Sequence, residues 1–521
     1  MKPIEVLRRH PPHGGTLAGL LSARVATLGN REFLVTAQRS LTWGALEEES
    51  TRVAAALMAG GLSHGDRLVV MSANRAEIVV LLFAAARLGA ILVPMNPEFN
   101  VAEARYVIEH CGATMVFASR EAMATATSAS DKASARIVCL DDFDEWVAEN
   151  ASDEASRSEG RPGDTCILIY TSGTTGFPKG VMHNQQSYVL TGEAFVERMH
   201  LQPDERMLCI LPLFHINALF YSLGGALAAG ATLMLESRFS ASAFWRRVAE
   251  TRATEVNILA AVGNILARRP REEYVPGPLR KVYGSPVGRE LDRVFREEFN
   301  VPVILEGYGM SEIPGACNNL VEGENRVGSM GVAALHPDHA MKFAELKVVD
   351  DEGRTLPDGA TGELAVRTPI VMQGYYRDAE QTKAAFRDGW FLTGDLVRRD
   401  EDGYVWFVAR KKDIIRRRGE NISGAELDRV IGEHPSVLEA AAIAVPSELG
   451  EDDILVAVVP RVGKSVTPAE IAAWCREKLS AHKQPRYVTL MEELPHTPSH
   501  RVAKWRLKDD PALRERAVAV A

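Results

Sequence analysis

The residues best suited to chemistry lie between Tyr170 and Val181, in the order Tyr170-Thr171-Ser172-Gly173-Thr174-Thr175-Gly176-Phe177-Pro178-Lys179-Gly180-Val181. Hydroxyls, glycines and one lysine in such density can wrap an anion. Glycines let backbone N–H groups converge on phosphate oxygens, the Ser and Thr hydroxyls donate further bonds, and Lys179 supplies a mobile positive charge. The run is not a Walker A loop, because Lys179 is followed by Gly180 rather than by Ser or Thr.

A strand has to deliver this loop, and CILIY at 166–170 reads as one. Upstream, LVVM at 68–71, ILVPM at 91–95, MVFAS at 115–119 and IVCL at 137–140 are short apolar runs. Helical spacing fills Ala76–Leu88 and Ala102–His110 between them, so the pattern predicts a parallel sheet with helices on its faces. Asn150 to Asp164 is polar and carries Gly and Pro, which predicts an exposed connection. A second series, CILIY, MLCIL at 207–211, TLMLE at 232–236, EVNIL at 255–259, KVY at 281–283 and VILE at 303–306, predicts a second layered sheet. From about 340 to 410 the texture changes to short strands with turn chemistry and no evident helix, a small β-rich subdomain. Beyond Arg410 charge density rises, then helix, strand, strand and helix follow. The boundary falls near Lys412, giving an α/β domain over 1–411 and a smaller α+β domain over 412–521.

At 521 residues the chain exceeds what one core supports, which agrees with two domains. Sixty Lys and Arg against 69 Asp and Glu leave a net charge of -9, which argues against a surface that coats nucleic acid. Six scattered cysteines without a CxxC pair suggest neither a disulfide framework nor a zinc site, and fit a reducing, cytoplasmic setting. Met1 to Gly15 lacks the apolar centre of a signal peptide. The longest apolar helical stretch, Ile78 to Ala86, is far shorter than the roughly 20 residues of a membrane span. No motif addresses oligomeric state.

The phosphate run resembles, almost residue for residue, the signature of the adenylate-forming superfamily of acyl-CoA synthetases, peptide-synthetase adenylation domains and firefly luciferase. Further motifs in the same order extend the resemblance from Leu41 to Lys504. SASAFW at 240–245, FHIN at 214–217 and RGENIS at 418–423 look most similar to the branch containing crotonobetaine/carnitine-CoA ligases. The resemblance implies a large domain of two sheets and a small β-barrel, followed by a mobile carboxy-terminal domain. It also implies ATP, Mg²⁺ and coenzyme A as reactants, with a carboxylic acid adenylated and then passed to the thiol, as in fatty acid or small carboxylate metabolism. An amine or carrier-protein acceptor is the alternative enzyme reading, and a catalytically silent sensor the non-enzymatic one.

The same resemblance assigns roles. In Glu306-Gly307-Tyr308-Gly309-Met310-Ser311-Glu312 the aromatic residue stacks on adenine, Ser311 meets the phosphates and Glu312 holds magnesium, although Ser311-Glu312 alone also suits the start of a helix. Thr171, Ser172, Gly173, Thr174, Thr175, Gly176 and Lys179 cradle the phosphates. Ser285 lies in the loop under adenine and the acyl pocket, where the family usually has glycine. Asp395 and Arg410 bind the ribose hydroxyls, and His215 lines the junction of acyl pocket and thiol channel. Lys412 is the hinge, and Gly419, Glu420 and Asn421 line the pantetheine channel. At the position of the family's catalytic lysine this chain has Arg501, and Lys504 three residues later, a flexible ammonium that is easier to deliver, is slightly favoured over Arg501 for that role.

Overall fold

The computed structural model describes residues 1–151, 160–171, 178–417, 420–447, 452–496 and 502–520. Two large sheets form around parallel strands, as the alternating pattern predicts, but CILIY, expected in the second sheet, pairs with Ile91–Met95 in the first. In the seven-stranded sheet the order is Gly374–Tyr375, Lys179–Asn184, Thr165–Thr171, Ile91–Met95, Arg67–Met71, Met115–Ala118 and Arg136–Cys139. Its last five strands run parallel, while Lys179–Asn184 and Gly374–Tyr375 are antiparallel additions at one edge. The nine-stranded sheet is likewise parallel at its centre. There Val303–Met310 turns back antiparallel into Ile313–Asn318.

Local chemistry sets the elements between. The helix Ala76–Leu88 buries eleven of its thirteen residues and stops at Gly89, whose φ of 69° is the left-handed region that glycine tolerates. A helix apolar almost all round belongs in a core rather than on a surface. No helix among the described residues is long and apolar enough to cross a membrane.

Past Ala344, Glu345–Val349, Thr361–Arg367, Trp390–Arg399, Phe386–Arg387 and Val405–Arg410 form a five-stranded half-barrel sheet. The segment also contains a helix, Ala379–Ala385, which the sequence reading does not anticipate. It has no buried residue and is held at its start by the Asp378 carboxylate accepting from Gln381 N, so no apolar stripe announces it.

The chain forms two compact units, 1–346 with 366–391, and 347–365 with 392–521. The expected boundary at Lys412 lies inside the second. In that unit the helix Gly424–Gly432, the strands Val437–Pro446 and Asp452–Pro460, and the helix Pro468–Lys478 follow the expected order. Alternate residues of the two strands feed two cores: Ala440, Ala442, Ile454, Val456 and Val458 one, and Ala441, Ile443, Val445, Leu455 and Ala457 the other. A strand covered on both faces reads as a continuous apolar run because its side chains alternate in direction.

Candidate active site

In the first unit the phosphate run connects two paired strands. Thr165–Thr171 and Lys179–Asn184 are antiparallel, with Thr171 opposite Lys179. Ser172, Gly173, Thr174, Thr175 and Gly176 lie outside the described residues.

Ser311 and Glu312 form the two-residue turn between Val303–Met310 and Ile313–Asn318, where Met310 pairs with Ile313. They therefore do not begin a helix. The strand runs on past VILE through the whole Glu306–Met310 motif, and a tight antiparallel reversal presents the carboxylate. His183 steadies this turn: its Nε2 donates to the Ser311 carbonyl at 2.7 Å. The imidazole is fully buried, and that burial pushes its pKa down to about 4, so it stays neutral with the proton on Nε2.

The Glu312 carboxylate accepts a hydrogen bond from the Tyr375 hydroxyl at 2.8 Å. The Lys179 ammonium lies 4.9 Å from the centroid of the same Tyr375 ring. Two residues remote in sequence thus meet at a third. The strap carrying Tyr375 is tied down by its backbone: Met372 N donates to Glu312 O at 2.8 Å, Gln373 N to Met182 O at 2.9 Å, and Tyr376 N to Gly180 O at 2.7 Å. Neither Tyr375 nor His183 stands out in the sequence. In the structure Gly374, directly before Tyr375, has a φ of 144°, a backbone position that favours glycine.

Glu306 and Ser285 come together at the strand ends. Gly284 pairs with Glu306, and Val287 N donates to Glu306 Oε2 at 3.0 Å. Burial of Glu306 raises its carboxyl to about 7, against the smaller lowering effect of that hydrogen bond. Gly307 and Gly309 leave room for neighbours: a Cβ at Gly307 would stand 2.2 Å from the Tyr283 hydroxyl, and one at Gly309 2.6 Å from the Tyr221 hydroxyl. Tyr308 is buried. His215 is partly exposed, with its ring edge-on to Phe214 at a centroid distance of 4.7 Å.

In the second unit Asp395 and Arg410 are opposite each other on paired strands. Arg410 Nη1 lies 3.0 Å from Asp395 Oδ1 and 3.2 Å from Oδ2, so the two residues assigned to the ribose are brought together. Thr393 Oγ1 donates to Leu364 O at 2.9 Å and accepts from Asp395 N at 3.2 Å, which fixes the turn before the carboxylate. Lys504 Nζ is 2.5 Å from Asp428 Oδ2, and Asp428 Oδ1 accepts from Ala442 N at 2.6 Å. Burial pushes the Asp428 carboxyl up despite Lys504 beside it. Arg501 and Gly419 lie outside the described residues. Glu420 and Asn421 belong to the strand Glu420–Ser423, and Lys412 to the short 3₁₀ turn Lys411–Asp413.

The family model of the AMP-binding enzyme matches residues 21–376, and that of the AMP-binding enzyme C-terminal domain matches 426–501. The chain is an AMP-binding enzyme. A sulfoacetate–CoA ligase of Cupriavidus necator is 32% identical over 512 residues, covering 96% of this chain and 99% of that protein. An indoleacetate–CoA ligase of Aromatoleum aromaticum is also 32% identical, over 90% of this chain and 92% of that protein. ATP-bound MatB from Rhodopseudomonas palustris superposes with a TM-score of 0.85 at 27% identity, covering 94% of this chain and 98% of its own. The AMP-binding enzyme described here is accordingly an acid–thiol ligase of the acyl-CoA synthetase type. It uses ATP to convert a carboxylic acid to its adenylate, and coenzyme A then takes the acyl group.

Glu312 is a fitting lone protein ligand for magnesium. Its carboxylate is buried, one oxygen is bonded to a neutral phenol, and Mg²⁺ typically takes one or two carboxylates along with phosphate oxygens and water. Among the described residues no group of three or more His, Cys, Asp or Glu offers a competing all-protein cage.

Proposed function

We propose that Lys179, Glu312 and Tyr375 form the phosphate end of the adenylation site, and that Asp395 with Arg410 holds the ribose. The observation that supports this is the meeting of Lys179 and Glu312 at one tyrosine, since a cation and a carboxylate so close together would suit a phosphate and the magnesium ion that accompanies it. In the first step the acid's carboxylate oxygen bonds to the α-phosphorus as the bond to the β-phosphate oxygen breaks, and pyrophosphate departs. Lys179 neutralises charge growing on the phosphate oxygens, and Glu312 is held in place by Tyr375 and, through its turn, by His183. Glu312 would hold the Mg²⁺, whose Lewis acidity would screen the same oxygens. In the second step a thiol attacks the acyl carbon and AMP leaves.

Arg501 takes the role of the family's lysine in this reading, because the Lys504 ammonium is already committed to Asp428. Lys412 is the hinge between 1–411 and 412–521, and Gly419 to Asn421 line the path of the thiol. A cytoplasmic location belongs to this reading, since that compartment supplies both ATP and coenzyme A. Pyrophosphate exchange over a panel of carboxylic acids tests the site. Lys179→Ala and Glu312→Ala should each lower exchange by about 10²- to 10³-fold with the fold intact. Undiminished exchange in both would remove the assignment.

A further inference from the structure

The helix Gln185–Met199 begins directly after the strand that carries Lys179, and near its end it turns Arg198 into the protein. The Arg198 side chain is buried, with 3% of its surface exposed. Its guanidinium carbon lies 5.1 Å from the Tyr221 ring centroid, 5.4 Å from that of Tyr283 and 5.6 Å from that of Phe195. Nη1 reaches the Tyr283 hydroxyl only at 3.4 Å, and Nε has no hydrogen-bond partner. Among the described residues Arg198 forms no ion pair, and the polar groups facing it are neutral phenols. The other deeply buried arginine of this unit, Arg24, donates instead to backbone carbonyls, to Ala228 O at 2.7 Å and Leu227 O at 3.0 Å. Aromatic faces compensate a buried cation only in part, and an uncompensated buried charge is among the costliest features a core can hold.

The position of this cation is informative. Gly315 has a φ of 97°, and a Cβ there would fall 1.9 Å from Arg198 Nη2, so the absence of a side chain at Gly315 is what admits the guanidinium. Gly315 lies three residues beyond Glu312 on the returning strand, a span of about 10 Å at about 3.3 Å per residue. Tyr221 and Tyr283, which flank the guanidinium, are the same two phenols that close against Gly309 and Gly307 of the Glu306–Glu312 motif. A cation lacking a counter-ion thus sits under the hairpin that carries Glu312.

The geometry points to a second anion-binding position in the acid site: the substrate is a short carboxylic acid that carries another anionic group, carboxylate or sulfonate, paired with Arg198. The planar fork of arginine accepts either group in two parallel hydrogen bonds. This rests on the adenylation reading above and deepens it.

The test is pyrophosphate exchange, and thioester formation with coenzyme A, on matched sets of acids: dicarboxylates of three to five carbons, sulfonated carboxylates of similar length, and monocarboxylates of the same length. The native enzyme should favour one of the doubly charged sets by at least about 10²-fold in kcat/KM, since a site built around a buried polar partner rejects the analogue that lacks it. The better of the two sets tells carboxylate from sulfonate. Arg198→Met should abolish the preference while leaving the KM for ATP unchanged, and Arg198→Lys, which keeps the charge but not the fork, should retain part of it. Equal use of monocarboxylates by the native enzyme overturns the inference and leaves the adenylation reading standing. So does a preference that survives in Arg198→Met. If that variant does not fold, the native panel and Arg198→Lys decide, a preference unchanged by lysine counting against the fork. Exchange with no acid of any kind removes the adenylation reading and this inference with it.

Discussion

Tyr375→Phe isolates one bond in the site. The substitution deletes the hydroxyl that donates to Glu312 at 2.8 Å but keeps the ring beneath the Lys179 ammonium at 4.9 Å. Hydrogen bonds to charged acceptors contribute about 1.5–3 kcal/mol net. If that bond holds Glu312 in its working direction, kcat/KM for Mg·ATP should fall by about 10- to 150-fold. The loss should also deepen at low magnesium, because a misdirected carboxylate binds the ion less well. The assay is pyrophosphate exchange titrated with Mg²⁺, with thermal melting alongside to show that the fold is kept. A double-mutant cycle completes it. In a Glu312→Gln background the Tyr375→Phe change should cost little, since the charged acceptor has already gone. A Tyr375→Phe enzyme that matches the parent at every magnesium concentration would refute the reasoning. So would an equal loss in both backgrounds.

Glu306 offers a pH test: with its carboxyl raised to about 7, the folded protein holds a proton that the unfolded chain releases near pH 4.5, so stability declines as pH rises between those values. Melting of Glu306→Gln should lack that slope, and the difference between the two proteins across the window should approach about 3 kcal/mol. Asp395→Ala should raise the KM for ATP and blunt discrimination against 2′,3′-dideoxy-ATP in steady-state kinetics; discrimination as sharp as the parent's would exclude Asp395 from the ribose. Arg501→Ala should cripple adenylation yet spare thioester formation from supplied acyl-adenylate, whereas Lys504→Ala should chiefly lower the melting temperature by leaving the partly buried Asp428 without its cation. Lys412→Pro, whose φ is locked at about -65°, should keep pyrophosphate exchange and lose acyl transfer to the thiol. Equal effects on the two half-reactions would count against a hinge there.

The strands at the centre of the sheets were legible because burial on both faces leaves apolar runs that composition alone reveals, as in Ile91–Met95 and Met115–Ala118. The antiparallel edges were not. Lys179–Asn184 and Ile313–Asn318 mix Gly, His, Asn and Pro with apolar residues, so neither has a clean period, and only pairing with a preformed neighbour makes them strands. For the same reason Ser311-Glu312 could pass for a helix start: acidic residues suit both a helix's first turn and a tight reversal. The site residues with family signatures were readable by type. Their supports were not, since the Tyr375 hydroxyl, the neutral His183 and Arg198, which makes no ion pair among the described residues, acquire meaning only from neighbours far along the chain.

The antiparallel stems of the phosphate run have a consequence for how such a site can be rebuilt. Nucleotide loops that lead from a strand into a helix draw part of their positive potential from aligned backbone dipoles, which no side-chain exchange can remove. Here the chain leaves on Thr171 and returns on Lys179 along a neighbouring strand, and the one full positive charge of the run resides on a replaceable ammonium. In the proposed site, affinity for the nucleotide should therefore respond to exchange of Lys179 alone. Because Thr171 and Lys179 already face each other, the ladder can hold its register while the intervening segment is exchanged for another of different length. That makes the run a portable cassette, open to grafting between relatives as a unit.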